Sequence, residues 1–428
     1  MTRGAGGNDA GGHGGVVVVG AGQAGVQVAE SLREAGYDDP VILVGEEPRP
    51  PYQRPPLSKE YLAGKLPDAE LALRGDRFYE DRGIRLLVGR RAVELDRSGR
   101  VLTLDDGTVL PYGHLVLATG ARPRPLPVPG GRLEGVVGLR TLDDAQELCR
   151  RLESARDVVV IGAGFIGLEF AAACRAAGLN PVVLDIAEQV MGRAVSAPTA
   201  AHFAEQHGLR GTRLLMGTAP TELVGRDGRV TGVRTADGTT IPADLVVTGV
   251  GVLPNTELAA LAGLDTDNGI VVDEYLATED PHISAIGDCA AFPDPRGGGR
   301  IRLESVQNAA DQARCLAARL TGAARPYDAL PWFWSYQGDL RLQIAGLATG
   351  HDHTVVRKDE RTQGLSVYCF RGSSLVAVES VNRPADHMAA RRLLASGVTV
   401  TPEDVAGPEF SARAHMARAT DSERRAPA

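Results

Sequence analysis

The sequence predicts an α/β fold built from two copies of one β-α-β unit. Two observations carry that reading. A run of four valines opens into a glycine-rich turn at Val16–Gly25, and a near copy of the pattern stands at Val158–Gly167. Each copy leads into an apolar stretch at helical spacing and then a short β-branched run that ends beside an acid. A period that switches from strand to helix and back is the signature of a parallel sheet with crossover helices.

In the first copy, Val16–Val19 suits a strand buried on both faces. The turn reads Gly20-Ala21-Gly22-Gln23-Ala24-Gly25, a G-x-G-x-x-G in full strand–turn–helix context. Gly20 makes the tight turn, Gly22 lets backbone approach a pyrophosphate, and Gly25 lets the helix pack on the strand. A helix is expected over 26–35, then a strand at Val41–Val44, then Gly45-Glu46-Glu47. Phosphates sit at the positive end of such a helix, and an acid after the second strand accepts hydrogen bonds from a ribose.

The second copy repeats each part. Gly162, Gly164 and Gly167 form the turn, a helix is expected over 168–177, and Val182–Leu184 leads to Asp185. Two such units mean two dinucleotides. A carboxylate at Asp185 holds the adenosine ribose of NAD and repels a 2′-phosphate, and Ile186-Ala187-Glu188 offers no arginine to welcome one. The second site therefore favours NADH over NADPH. The first is left for a prosthetic dinucleotide, for which FAD is the natural candidate.

Two strands ending in small residues, Leu115–Gly120 and Leu245–Gly251, come near the end of each unit, where the chain passes close to cofactor. Proline-rich runs at 122–129 and Pro254 mark crossings between domains. Ile283–Ala290 is a strand ending in Gly287-Asp288, an aspartate suited to a ribityl hydroxyl.

Composition narrows the class. With 43% hydrophobic and 23% charged residues the chain suits a globular protein of two or three domains. A net charge of −8 argues against a nucleic-acid binder, which needs a basic face. No stretch is apolar for long enough to span a membrane. Five scattered cysteines form no C-x-x-C, so neither a metal site nor a redox disulfide is signalled, and a reducing cytoplasm is expected. The glycine-rich residues 1–14 read as a disordered leader and 413–428 as a frayed tail. Only three lysines occur, Lys59, Lys65 and Lys358. His114, His202 and His207 stand in no motif and read as surface or packing residues.

Several segments together resemble the FAD-dependent NADH:ferredoxin reductases of bacterial cytochrome P450 and ring-dioxygenase systems. They are Gly20–Gly25, Pro51–Lys59, Ala118-Thr119-Gly120, Gly162–Glu169, Ile286–Cys289, Glu304–Asn308 and Pro331–Ser335. The Pro-Pro-Leu-Ser-Lys and Trp-Phe-Trp-Ser runs are the most specific, with Thr401–Asp404 behind them. The resemblance spans nearly the whole chain. It implies an FAD domain in two parts (15–121 and 254–326), an inserted NAD domain (122–253), and a C-terminal α+β domain (327–412). Strand candidates in the last are Arg341–Gly346, Thr354–Arg357, Leu365–Phe370 and Ser374–Val381.

The same resemblance implies residue roles. Gly20, Gly22, Ala24 and Gly25 form the FAD phosphate loop, with Thr119 and Gly120 beside it. Glu46 holds the FAD ribose, with Glu47 the second choice. Arg54 and Lys59 lie against the FAD, Lys59 at the reactive edge. Ala92 and Arg140 line the cofactor, Asp288 holds its ribityl or pyrophosphate part, and Val306 donates backbone hydrogen bonds to the flavin. Gly162, Gly164, Ile166 and Gly167 form the NAD loop. Glu169 approaches the nicotinamide end and pairs with Lys59, and Asp185 holds the ribose. Trp334 lies near the exposed flavin face. The implied catalytic pair is Lys59 and Glu169. The implied partner is a small [2Fe-2S] ferredoxin that feeds a cytochrome P450 or similar oxygenase.

Alternatives stay open. Trp332 and Trp334 fit core packing as well as a docking face. A rubredoxin or monodehydroascorbate reductase shares the architecture, as does an FAD-binding signalling protein with weak turnover. A disulfide reductase does not fit, because no cysteine stands in the helix after the first glycine turn or within 52–62.

Overall fold

A computed structural model describes residues 14–359 and 364–416. The expected leader falls on residues 1–13, outside the described residues apart from Gly14. Most of the expected tail, 417–428, lies outside them too, and residues 412–416 are helical.

The chain divides into two compact units. The first comprises the stretch ending at Tyr52, Ala72–Ala121 and Pro254–Asp328. Its centre is a five-stranded parallel sheet in the order Ile283–Ala285, His114–Leu117, Val16–Val19, Val41–Val44, Ile84–Leu87. Val16, Val17 and Val18 are buried, as expected for a strand covered on both faces. Helix Gln23–Glu34 follows the first strand and packs on helix Val306–Leu320. The helix starts three residues before the expected position. Gly22 is its N-cap, so the last glycine of the motif is already helical, a start that the low helix propensity of glycine hides. A small antiparallel sheet, Ala92–Asp96, Val101–Leu104 and Val109–Pro111, lies outside the sequence-based expectation.

The second unit comprises Gln53–Leu71, Arg122–Leu253 and the stretch from Ala329 onward. Its parallel sheet has the order Arg213–Leu215, Val182–Leu184, Val158–Ile161, Leu245–Thr248, Val136–Gly138. An antiparallel sheet of five strands follows: Trp332–Gln337, Leu340–Gly346, Ser374–Val381, Gly364–Arg371, His353–Asp359. The four expected strands are there, with a fifth at Trp332–Gln337, whose aromatic run hides its alternation. Phe170 and Phe203 from the parallel-sheet helices share one core with Leu342, Leu365 and Val367 of the antiparallel sheet. Helix Phe165–Ala176 packs on strand Trp332–Gln337 and on the 3-10 turn Pro55–Ser58. The prolines at the start of that turn preset its backbone and need no donor there. Leu57 is buried, which anchors the turn and holds Ser58 and Lys59 against the helix.

Candidate functional site

Each glycine of the two loops answers a separate steric demand. Gly20 has φ +111°, and a Cβ there would stand 2.1 Å from the carbonyl oxygen of Ala118. Gly162 has φ +112°, with the Gly249 carbonyl oxygen at 2.4 Å from such a Cβ. A Cβ on Gly25 would stand 1.9 Å from the Gly20 oxygen, and one on Gly167 2.0 Å from the Gly162 oxygen. Gly22 and Gly164 differ. Both have negative φ and face open space, with nothing within 4 Å of a Cβ. They are also the N-caps of 12-residue helices, and neither helix has a side-chain cap. The first-turn N–H groups thus face an open cradle, the condition for a pyrophosphate at a helix N-terminus. Both cradles fit a dinucleotide.

The surroundings of the first loop gather other expected residues. Thr119 donates through Oγ1 to the Asn255 carbonyl (2.6 Å), and Asn255 Nδ2 donates back to the Thr119 carbonyl (2.9 Å). Gly120 has φ +66°. Gly287 has φ +78° and lies against Ala24, which brings the Gly287–Cys289 turn and Asp288 to the loop. Gln312 fixes that turn by accepting from the Gly287 N–H at 2.7 Å. Val306 opens helix Val306–Leu320 behind the N-cap Ser305. Glu46 is exposed, whereas Glu47 accepts from the Tyr52 hydroxyl at 2.6 Å. Ala92 is half-buried in the antiparallel sheet.

In the second unit Asp185 accepts from the N–H of Ala163 (2.7 Å) and of Ala187 (2.9 Å). One carboxylate oxygen is thereby tied to the glycine loop and the other to its own turn. By strand register Asp185 is the counterpart of Gly45 in the first unit, one position before that of Glu46. Ile186, at the Glu46 position, is 70% exposed. Ile166 is also exposed at the mouth of the second loop.

The two most specific motifs meet in this unit. Lys59 Nζ donates to Glu169 Oε2 at 2.8 Å, with side chains only 12% and 2% exposed. Lys59 also donates to the Pro55 carbonyl at 3.0 Å. Ser58 Oγ bonds the same carboxylate oxygen, and Ser335 Oγ donates to Glu169 Oε1 at 2.7 Å. A buried ion pair is tolerated only when its remaining lone pairs are satisfied, and these two serines do that. Arg54 Nη1 donates to the Arg140 carbonyl at 2.7 Å, joining two further expected residues. Trp334 is half-buried beside Trp332, whose own ring carries Arg391 at 4.3 Å.

Sequence reasoning singled out Lys59 and Glu169 but missed Ser58, Ser335, Gln337 and His207. His207 is a buried residue that bonds Gln337 at 2.8 Å. The signal for Ser335 lay in the Trp-Phe-Trp-Ser run, where it follows Trp334 directly. All five cysteines are free, and four are buried. Burial pushes the Cys174 thiol up to about 12 and raises Cys289, Cys315 and Cys369, so none is a ready thiolate. Among the described residues no cluster of side chains could hold a metal, and no helix is long and apolar enough to cross a membrane.

Two dinucleotide cradles on parallel sheets, a buried lysine–carboxylate pair and inert cysteines define a two-nucleotide oxidoreductase. Comparison with known proteins gives the family. Residues 14–313 match the pyridine nucleotide-disulphide oxidoreductase model, and 332–416 match the reductase C-terminal model. The chain is 50% identical over 407 residues to rhodocoxin reductase of Rhodococcus erythropolis, covering 95% of each chain. The crystal structure of the ferredoxin reductase for the CYP199A2 system from Rhodopseudomonas palustris has a TM-score of 0.91 at 51% identity, over 93% of this chain and 98% of that one. The covalent putidaredoxin reductase–putidaredoxin complex gives 0.92 at 40%, over 95% and 99%. The chain belongs to the pyridine nucleotide-disulphide oxidoreductase family, FAD-dependent enzymes that use a pyridine nucleotide.

Proposed function

We propose that this chain takes electrons from NADH and passes them, through FAD, to a small [2Fe-2S] ferredoxin that feeds a cytochrome P450 or similar oxygenase. The observation that carries the reading is the pair of matched phosphate cradles, one in each unit, in a chain like ferredoxin reductases over almost its full length. FAD held in the first cradle would supply hydride acceptance and single-electron release, the chemistry that links a two-electron donor to one-electron acceptors.

The chain's own residues bind and align. Gly20, Gly22, Ala24 and Gly25 hold the FAD phosphates, with Glu46 at the ribose and Asp288 at the ribityl or pyrophosphate part. Thr119, Gly120, Ala92, Arg54 and Arg140 line the cofactor, and Val306 presents backbone N–H groups to the ring. Gly162, Gly164, Ile166 and Gly167 hold the NADH phosphates, and Asp185 its ribose. Lys59 and Glu169 serve the hydride step, and Trp334 shields the flavin. In chain order, 15–121 and 254–326 make the FAD domain, 122–253 the NAD domain and 327–412 the interface domain. We place the protein in the cytoplasm, which its five free cysteines support.

Anaerobic stopped-flow mixing of the yellow protein with NADH or NADPH tests this reading. Rapid bleaching of the flavin band by NADH, and slow bleaching by NADPH, is expected. A colourless protein, or one bleached equally fast by both coenzymes, contradicts the assignment of the two sites.

A further inference from the structure

The Lys59–Glu169 pair does not end at Ser335. Ser335 Oγ also receives a hydrogen bond from Gln337 Nε2 at 3.2 Å, and Gln337 Oε1 lies 2.8 Å from His207 Nε2. Gln337 Nε2 also points at the Met191 sulfur at 3.5 Å. A thioether only accepts, so this contact orients the amide with its oxygen toward His207. The imidazole must then carry its proton on Nε2 and donate. Ser335 has one proton, and with Gln337 donating to it that proton goes to Glu169 Oε1. Every donor in the series therefore points the same way, from His207 through Gln337 and Ser335 to the carboxylate. Ser335, Gln337 and His207 are all within 2% of full burial, and burial lowers the proton affinity of His207, which keeps it neutral.

The fold does not require a charge at this helix position. In the first unit, two residues beyond the last glycine of the loop, stands Gln27, whose amide bonds Glu30 and Ser31 on its own helix. Only the second unit places a carboxylate there and supplies it with donors from another element.

We propose that His207, Gln337 and Ser335 form a one-way hydrogen-bond chain that positions Glu169 and, through it, Lys59 for the hydride step. The three are positioning residues. The chain rests on the reading of Lys59 and Glu169 given above and adds the control exerted by strand Trp332–Gln337. Without the Ser335 proton, one oxygen of a buried carboxylate loses its only donor in this series, the side chain turns, and Lys59 loses its fixed direction.

The test uses the full-length yellow protein. With only three lysines in the chain, 13Cε-lysine labelling gives one NMR signal for each, so Lys59 is read directly without turnover. Ser335→Ala should move the Lys59 signal toward those of Lys65 and Lys358 and slow flavin reduction at saturating NADH by roughly tenfold, the worth of a hydrogen bond to a charged group. Ser335→Thr, which keeps the hydroxyl, should restore both. Gln337→Leu, one link further out, should move the same signal by less and serves if Ser335→Ala does not fold. In a Lys59→Met background, Ser335→Ala should cost no further rate, because both changes act through one path. An unmoved Lys59 signal with an unchanged rate overturns the proposal, as do losses that multiply. Lys59→Met reducing as fast as the parent sinks the underlying reading of the pair and the chain with it. Slow Lys59→Met beside unimpaired Ser335→Ala sinks the chain alone.

Discussion

A methyl group on Gly164 and one on Gly162 have opposite consequences. The first points into the open mouth of the second glycine loop at ordinary φ, and the second drives into the Gly249 carbonyl from a left-handed backbone. Gly164→Ala should therefore fold, keep its FAD and its melting temperature within a few degrees, and show a raised KM for NADH. Gly162→Ala should lower the melting temperature markedly. Thermal melts beside steady-state kinetics separate the two, and a Gly164→Ala protein with parental KM would remove the pyrophosphate from this loop. Asp185→Ala should weaken NADH binding and relax the choice against NADPH, read as the ratio of kcat/KM for the two coenzymes. Its two oxygens also brace the glycine loop and its own turn, so some stability goes with it. An unchanged ratio contradicts its ribose role.

Among elements, helix Phe165–Ala176 does the most positioning. Its N-terminus is the second phosphate cradle, Glu169 lies one turn later, and Phe170 turns into the core shared with the antiparallel sheet. Phe170→Ala should cost about 3–5 kcal/mol, the range for a buried aromatic cut to alanine. Because the core is common, the parallel-sheet domain and the C-terminal sheet should melt together. Differential scanning calorimetry giving two separated transitions would show that they are independent. The glycine motif revealed this helix in the sequence, while its true start was masked by the glycines that build it. The antiparallel sheets were harder. Strand Trp332–Gln337 carries four aromatics spread over both faces and has no clean period-two pattern, and the short strands at Ala92–Pro111 offer little apolar alternation.

For the whole molecule, acid should be more damaging than carboxylate chemistry alone implies. Burial pushes His387 down to about 4 and His114 down to about 3, and it lowers His207. These imidazoles are neutral in the fold but take up protons in the unfolded chain below its ordinary histidine value. The unfolded state then binds more protons, so stability falls as pH drops from about 6.5 toward the depressed values. His387 has no hydrogen-bond partner on either ring nitrogen and packs beside Trp332 and Arg391. His387→Phe should thus leave the melting temperature at pH 7 nearly unchanged and flatten its decline between pH 6.5 and 4.5. A decline as steep as the parent's would assign the acid sensitivity elsewhere.

What was legible at this scale was whatever is written locally. Two loops, two acids and a proline-set lysine each occupy a few consecutive residues. What was not legible needed the chain to close. Ser335 meets Glu169 across 166 positions, and His207 meets Gln337 across 130. No local spacing announces such a contact, and each residue alone looks like packing.

The central claim is that electrons from NADH leave this chain for a small iron–sulfur protein. NADH-driven cytochrome c reduction by the purified protein, with and without an added [2Fe-2S] ferredoxin from a cytochrome P450 system, tests it most directly. The account predicts slow reduction alone and strong stimulation by the ferredoxin. Fast direct dye reduction by NADH with no response to ferredoxin would contradict it, leaving both nucleotide sites in place and moving the acceptor to a rubredoxin or a small molecule.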